Sequence, residues 1–254
     1  MKIHHIRNAT CVIESASHAI LVDPMLSQKG ALPPFTFFRR KPLRNPLVQL
    51  PEGTEAVLET VTHAMVTHCQ KNNVEALTHT DHLDRPGRQF LKNRQISVVC
   101  RREDASYLEK HQIHVSHRLT PWVPESFLNG RVTAVPARHG DSWVRHLMAN
   151  GVGFFLELPD EPSLYISGDT VFTRDVEKAL QELKPDIAVV AAGSAAMDIG
   201  GPILMPLEQV LRFIPMAPGT VIANHMDALN HCSTTRDILR KALAERGLEG
   251  RVLI

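Results

Sequence analysis

The sequence predicts one α/β domain, on three observations. Short β-rich runs alternate with amphipathic helical stretches along most of the chain. The length of 254 residues leaves room for one large α/β or sandwich domain or for two small ones, and neither an internal repeat nor a dividing linker is present. Hydrophobic content of 43% and charged content of 22% suit a soluble protein with a sizeable core. The formal net charge of +1 provides no basic field, so a nucleic-acid substrate is not favoured. The start, MKIHHIRNATCVIE, lacks a signal-peptide layout, and no apolar run nears the roughly eighteen residues of a membrane span. Cys11, Cys69, Cys100 and Cys232 form no C-x-x-C pair, so free thiols in a reducing cytoplasm are expected.

In chain order, Lys2–Arg7, Thr10–Glu14 and Ala19–Val22 read as a meander of strands, the last ended by Asp23-Pro24. Residues 28–51 hold five prolines and three phenylalanines, a density of proline that excludes a helix or central strand. With Arg39, Arg40, Lys41 and Arg44 this segment is either an irregular surface loop or a basic, aromatic flap over a pocket. Glu55–Thr62 reads as a helix and His63–Thr67 as a buried strand leading to His68. Gly87–Lys92 starts a helix behind Pro86, followed by strand Ile96–Cys100, helix Glu103–Lys110 and strand Ile113–His117. His111, His114 and His117, three apart, alternate faces in a strand and read as structural. Arg131–Pro136 is a strand ending at Ala137-Arg138-His139-Gly140; a polar loop with Trp143, Arg145 and His146 follows. Val152–Leu158 and Leu164–Ser167 form a hairpin pair that ends in Gly168-Asp169-Thr170. Thr173 caps a helix with Val176, Ala179, Leu180 and Leu183 on one stripe, stopped before Pro185. Ile187–Ala191 is a buried strand, Leu207–Phe213 a helix, Val221–Ala223 a strand ending at Asn224-His225, Thr235–Arg246 an amphipathic helix, and Arg251–Ile254 a last strand.

The chemistry concentrates in Thr78-His79-Thr80-Asp81-His82-Leu83-Asp84. Imidazole and carboxylate are ligands for zinc, manganese and iron, and three such side chains within four positions suit a tight loop after a strand. His79, Asp81 and His82 follow the strand that leads to His68; His139, Asp169 and His225 each sit just past another strand end. Loops at one sheet edge are where sites collect, so these residues are expected to share one.

The order H-T-D-H-L-D, P-A-R-H-G, S-G-D-T and N-H resembles the metallo-β-lactamase superfamily, closest to the bacterial hydrolases that include the ascorbate-phosphate-lactonase-like proteins. N-A-T-C-V-I-E…I-L-V-D-P and K-P-D-I-A-V-V-A-A-G extend the likeness over nearly the whole chain. It implies an αβ/βα four-layer sandwich of two mixed β-sheets flanked by helices, with one or two divalent metals at an edge: zinc first, otherwise manganese or iron. His79 and His139 would bind one metal; Asp81, His82 and His225 the other; Asp169 would bridge; Asp84 would accept a ring N–H from a ligand histidine. The family pattern H-x-H-x-D-H would put a histidine at Leu77, whereas ten residues separate Thr67-His68 from the His79 of the motif. Cys69–Thr78 therefore reads as an insertion. Either it doubles back and His68 supplies the missing ligand, or the first metal is weakly held.

The resemblance implies a cytoplasmic hydrolase that uses a metal-bound hydroxide, aimed by Asp81, on a small anionic ester, lactone or phosphodiester. The basic 39–44 segment and Arg145 motivate the word anionic, and His146 and His231 are the candidates to protonate the leaving group. Trp143, Phe35, Phe37 and Phe38 would line the mouth. A nuclease and a non-catalytic, metal-sensing descendant are the alternatives, and a homo-oligomer stays open.

Overall fold

Alternating apolar side chains point to both faces of most strands, and two mixed sheets with three layers of core result. The computed structural model describes residues 1–16, 18–70, 79–146 and 148–254. Six strands form the first sheet in the order β1 to β6: β1 Lys2–Arg7, β2 Thr10–Ser15, β3 His18–Val22, β4 His63–Val66, β5 Ser97–Arg101 and β6 Val115–Leu119. Seven form the second: β7 Pro124–Phe127, β8 Gly130–Pro136, β9 Val152–Glu157, β10 Leu164–Ile166, β11 Ile187–Ala191, β12 Thr220–Asn224 and β13 Val252–Leu253. Each sheet starts as an antiparallel meander and continues as parallel strands, from β3 in one and from β10 in the other.

In β4, Ala64 and Val66 face an outer layer and Met65 faces inward; in β11, Ala188 and Val190 face out and Val189 in. The first sheet is covered by α1 Thr54–Glu59, α2 Arg85–Asn93 and α3 Ala105–Lys110, through Leu58, Leu91 and Leu108. The second is covered by α4 Arg174–Lys178, which runs on as a wider turn to Leu183, by α5 Leu207–Met216 and by α6 Arg236–Ala244, through Val176, Leu211 and Leu239. Ile13, Ile20 and Met65 meet Val132, Phe154 and Val189 between the sheets. This is the expected αβ/βα sandwich. Thr173 and Thr235 cap α4 and α6, accepting from Val176 N and Ile238 N at 3.2 Å.

Besides shifts of a few residues at other element ends, three differences from the sequence reading have a local cause. Strand β7 was not expected: it is an edge strand, opens on a proline, and leaves most of its residues outside the core. Its cue was Asn129-Gly130, for Leu128 and Asn129 have φ of 48° and 61°, the left-handed pair that a two-residue hairpin needs. Strand β6 starts at Val115 rather than Ile113, whose N–H is taken by Leu108 O at the end of α3. Residues 102–104 form a short tight turn before α3, so the helix expected from Glu103 starts at Ala105. His111, His114 and His117 bond to Tyr107 O, Ser97 Oγ and Ser126 O, as structural groups.

Candidate metal centre

Strands β4, β8, β10 and β12 end along one edge, and the loops that leave them carry His68, His139, Asp169 and His225. The turn at His79–Leu83 completes the set. His82 N and Leu83 N both donate to His79 O, at 3.1 and 3.0 Å, which turns Asp81 and His82 inward. Leu77 lies outside the described residues, but the two ends of the inserted stretch meet: His79 N donates to Cys69 O at 2.8 Å. His68 and His79 are thereby neighbours, with Nε2 and Nδ1 3.1 Å apart.

Two groups of donor atoms result, His68, His79 and His139 in one and Asp81, His82, Asp169 and His225 in the other, each spanning no more than 4.8 Å. Asp169 Oδ2 joins them, at 3.1 Å from His82 Nε2, 3.5 Å from His225 Nε2 and 3.6 Å from His139 Nε2. Asp81 Oδ2 is 3.8 Å from His82 Nε2 and 3.9 Å from His225 Nε2. All but His79 are buried, and His79 keeps only 10% of its side chain exposed.

The outward ring nitrogens are anchored. Thr67 donates its N–H and Oγ–H to Asp23, at 2.8 and 2.7 Å. The hydroxyl oxygen then accepts from His68 Nδ1 at 3.0 Å, and Asp23 Oδ2 accepts from His82 Nδ1 at 2.9 Å. His139 Nδ1 donates to Ile203 O at 2.7 Å, and His225 Nδ1 lies 3.6 Å from Cys232 Sγ. Such bonds fix the tautomer that leaves a lone pair facing inward.

The expectation for Asp84 is corrected. Its carboxylate caps α2, accepting from Gly87 N at 2.7 Å, and holds Ser27 N at 2.6 Å; the ligand-histidine partner is Asp23. Asp23 was missed although it follows β3 in the same strand-end context as the other site residues. Asn8, also missed, donates to Asp81 O at 3.1 Å.

Burial and the neighbouring imidazoles hold His68 well below the ordinary histidine pKa and bring His79 down to about 3; burial lowers His139. In the other group burial opposes charge, yet Asp169, Asp23 and Asp81 hold His82 well above its ordinary value, and Asp169 does the same for His225. The residues fit a metal. His82 Nε2 and Asp169 Oδ1 are buried without a well-formed hydrogen bond, and mixed imidazole and carboxylate donors converging on one point are what divalent cations take.

His231 is buried close by, its ring centroid 6.4 Å from that of His225, with Phe35 edge-on at 5.2 Å. Burial, against the pull of Asp81, pushes its pKa down to about 4. His146 is not brought into either donor group; it sits exposed on the turn Trp143–His146, where its Nε2 accepts from Arg145 at 3.2 Å. Of the four aromatics expected at the mouth, Phe35 alone turns in, while Phe37, Phe38 and Trp143 are 53%, 92% and 53% exposed.

The proline-rich segment is a fixed strap. Asp198 accepts from Phe37, Phe38 and Arg39 N–H groups at 2.8–3.0 Å and from Thr36 Oγ, and Asn230 holds Phe35 N and Thr36 O at 2.9 Å. Arg39, Arg40 and Arg44 each donate to backbone carbonyls, those of Gly200, Cys232, Gly30 and Ala31.

Residues 18–226 match the family model described as the beta-lactamase superfamily domain. The chain is 30% identical to the UPF0173 protein YddR of Bacillus subtilis, over 100% of this chain and 96% of that protein. Among solved structures, the isothiocyanate hydrolase from Delia radicum gut bacteria is 34% identical with a TM-score of 0.87, covering 100% of this chain and 96% of the other. A possible metal-dependent hydrolase from Veillonella parvula is 27% identical, also at a TM-score of 0.87, covering 99% and 95%.

Proposed function

The chain belongs to the beta-lactamase superfamily, and on that premise we propose that this metal-dependent hydrolase directs water at an electrophilic carbon in a small, largely uncharged substrate. The observation that carries the reading is the pair of donor groups joined through Asp169. Divalent metal held there, by His68, His79 and His139 on one side and Asp81, His82 and His225 on the other, would lower the pKa of water towards neutrality and polarise the substrate.

The chain's own residues do the rest. The carboxylate of Asp81, poised between His79 at 4.0 Å and His225 at 3.9 Å, accepts a hydrogen bond from the attacking water and aims it. With a pKa of about 4, His231 is neutral at pH 7, so it serves the leaving group as a hydrogen-bonding wall rather than as a stored acid. The leaving-group proton comes from solvent in this reading, with His146 on its exposed turn as the candidate relay.

Two features support an uncharged substrate. The strap arginines Arg39, Arg40 and Arg44 bond to backbone carbonyls, so they act as fasteners. An apolar core cluster behind His139 and His231, which includes Ile203 and Leu204, is flanked by the partly exposed Phe35, Met148 and Met197. An isothiocyanate, the compound in the name of the 34%-identical relative, is an uncharged carbon electrophile of this kind. An anionic ester, lactone or phosphodiester is the second reading, favoured by Lys41 and Arg145, which are exposed and form no ion pair among the described residues. Metal-loaded protein assayed against aryl isothiocyanates, lactones, thioesters and phosphodiesters separates the two. Turnover of the uncharged compounds is expected; turnover of phosphodiesters alone would select the second reading, and no turnover at full metal content would favour a non-catalytic protein.

A further inference from the structure

Four inward-turned imidazoles are held from behind, and their anchors differ in kind. His82 has the Asp23 carboxylate at 2.9 Å, His139 the Ile203 carbonyl at 2.7 Å and His68 the Thr67 hydroxyl at 3.0 Å. His225 has a sulfur, Cys232 Sγ, 3.6 Å from Nδ1. We propose that Cys232 is a positioning residue for His225: its sulfur accepts the Nδ1 hydrogen and so keeps Nε2 facing the centre beside Asp169 and Asp81 as the ligating nitrogen. The inference rests on the metal-centre reading above.

The surroundings are built for this contact. His225 sits in the left-handed region at φ 61°, with its N–H tied to Asn8 O at 3.1 Å, so the backbone sends the ring inward. Cys232 is fixed by its bridge to Ala195 and by the Arg40 guanidinium on its carbonyl at 3.1 Å. Between the two lies Gly193. A Cβ there would come within 2.0 Å of His225 O and 2.9 Å of Cys232 Sγ, so only glycine lets the two loops close to contact distance. Within the described residues no other hydrogen-bond partner reaches His225 Nδ1.

Sulfur is a weak acceptor compared with the carboxylate, carbonyl and hydroxyl behind the other three rings. His225 is therefore the least firmly steered of the four, and losing the sulfur frees it to carry its hydrogen on Nε2, where it blocks ligation.

The test compares wild type, Cys232→Val and Cys232→Ser in zinc titrations against a chelator, with cobalt(II) absorption spectra as a second readout. Valine keeps the bulk and removes the acceptor, so one metal equivalent should weaken by about 10–100-fold and the cobalt spectrum should change. Serine keeps an acceptor and should stay within about threefold of wild type. Unchanged affinity of both equivalents in Cys232→Val overturns the proposal, as does a serine variant as weak as valine, which would mean packing rather than hydrogen bonding. If Cys232→Val melts below assay temperature, Cys232→Ala is read in its place by the same criteria. A His225→Ala variant that retains every metal equivalent overturns the metal-centre reading itself, and is thereby told apart from a failure at Cys232.

Discussion

The two halves of the centre are built on opposite electrostatics. In the half made by His68, His79 and His139, burial and mutual repulsion disfavour protonation, so three neutral lone pairs stand ready at pH 7. Asp169, 3.6 Å from His139 Nε2, is the carboxylate it shares with the other half. In the half made by Asp81, His82, Asp169 and His225, two acids face two imidazoles whose pKa they raise well above the ordinary value. A cation entering the first half meets imidazoles with little charge; one entering the second meets two carboxylates but competes with the protons that these favour on the imidazoles. One cluster thus pairs a preformed neutral donor set with a stronger but proton-competed one.

The largest expected effect comes from the atom common to both halves. Asp169→Ala should remove both metal equivalents, read by elemental analysis, and lower hydrolysis by roughly three orders of magnitude, ~4 kcal/mol of transition-state stabilisation. If one equivalent stayed at wild-type affinity, the halves would be independent. Next come His68→Ala and His82→Ala, each expected to cost one equivalent from a different half while melting remains cooperative. Chelation of the wild type should empty the three-imidazole half first, because one shared carboxylate attracts a cation less than two do. Release of both equivalents together would break the comparison.

Much of this was legible in the chain because strand ends announce themselves. His139, Asp169 and His225 each follow an apolar run, and the fold brings those ends to one edge. His68 was ambiguous for a physical reason: the closure of His79 N on Cys69 O, which makes the two histidines neighbours, is a contact across ten residues that no local pattern encodes. Asp84 was misread because a helix cap and a histidine anchor look alike in sequence; only the distance to Gly87 N separates them. Asp23 was hidden because its partners Thr67 and His82 are 44 and 59 positions away. Edge strand β7 lacks the buried alternation that marks its neighbours, leaving Asn129-Gly130 as its one signal.

A smaller effect should follow at Asp23, which serves both halves from behind. Its carboxylate orients His82 directly and His68 through Thr67. Asp23→Asn presents an amide N–H to one of these partners, so His82 or Thr67 must turn. Metal affinity should fall about 10–100-fold, with the half containing His82 more affected, since its bond is direct. Zinc titration at fixed pH checks this. Equal loss in both halves would show that Thr67 transmits the anchor as strongly as the carboxylate delivers it.

The smallest effect on the metal, and the one that separates binding from architecture, concerns the strap. Asp198 loses solvation where it sits, which raises a carboxyl pKa, but the N–H groups of Arg39, Phe38 and Phe37 and the Thr36 hydroxyl together hold it below the ordinary carboxylate value. The sign follows: with the folded-state pKa depressed, the clamp is complete above the ordinary carboxylate pKa and fails only as pH drops through the lowered one. At neutral pH only substitution opens it. Asp198→Ala should release Phe37–Arg39 and slacken Phe35, whose ring packs on His231. The expected result is a KM raised several-fold for an aryl substrate, with kcat and metal content near wild type and Tm lowered by no more than about 4 °C. A large drop in Tm with unchanged KM would make the strap a pin that holds the 193–201 loop in place, and the metal halves would then bind substrate without help from Phe35.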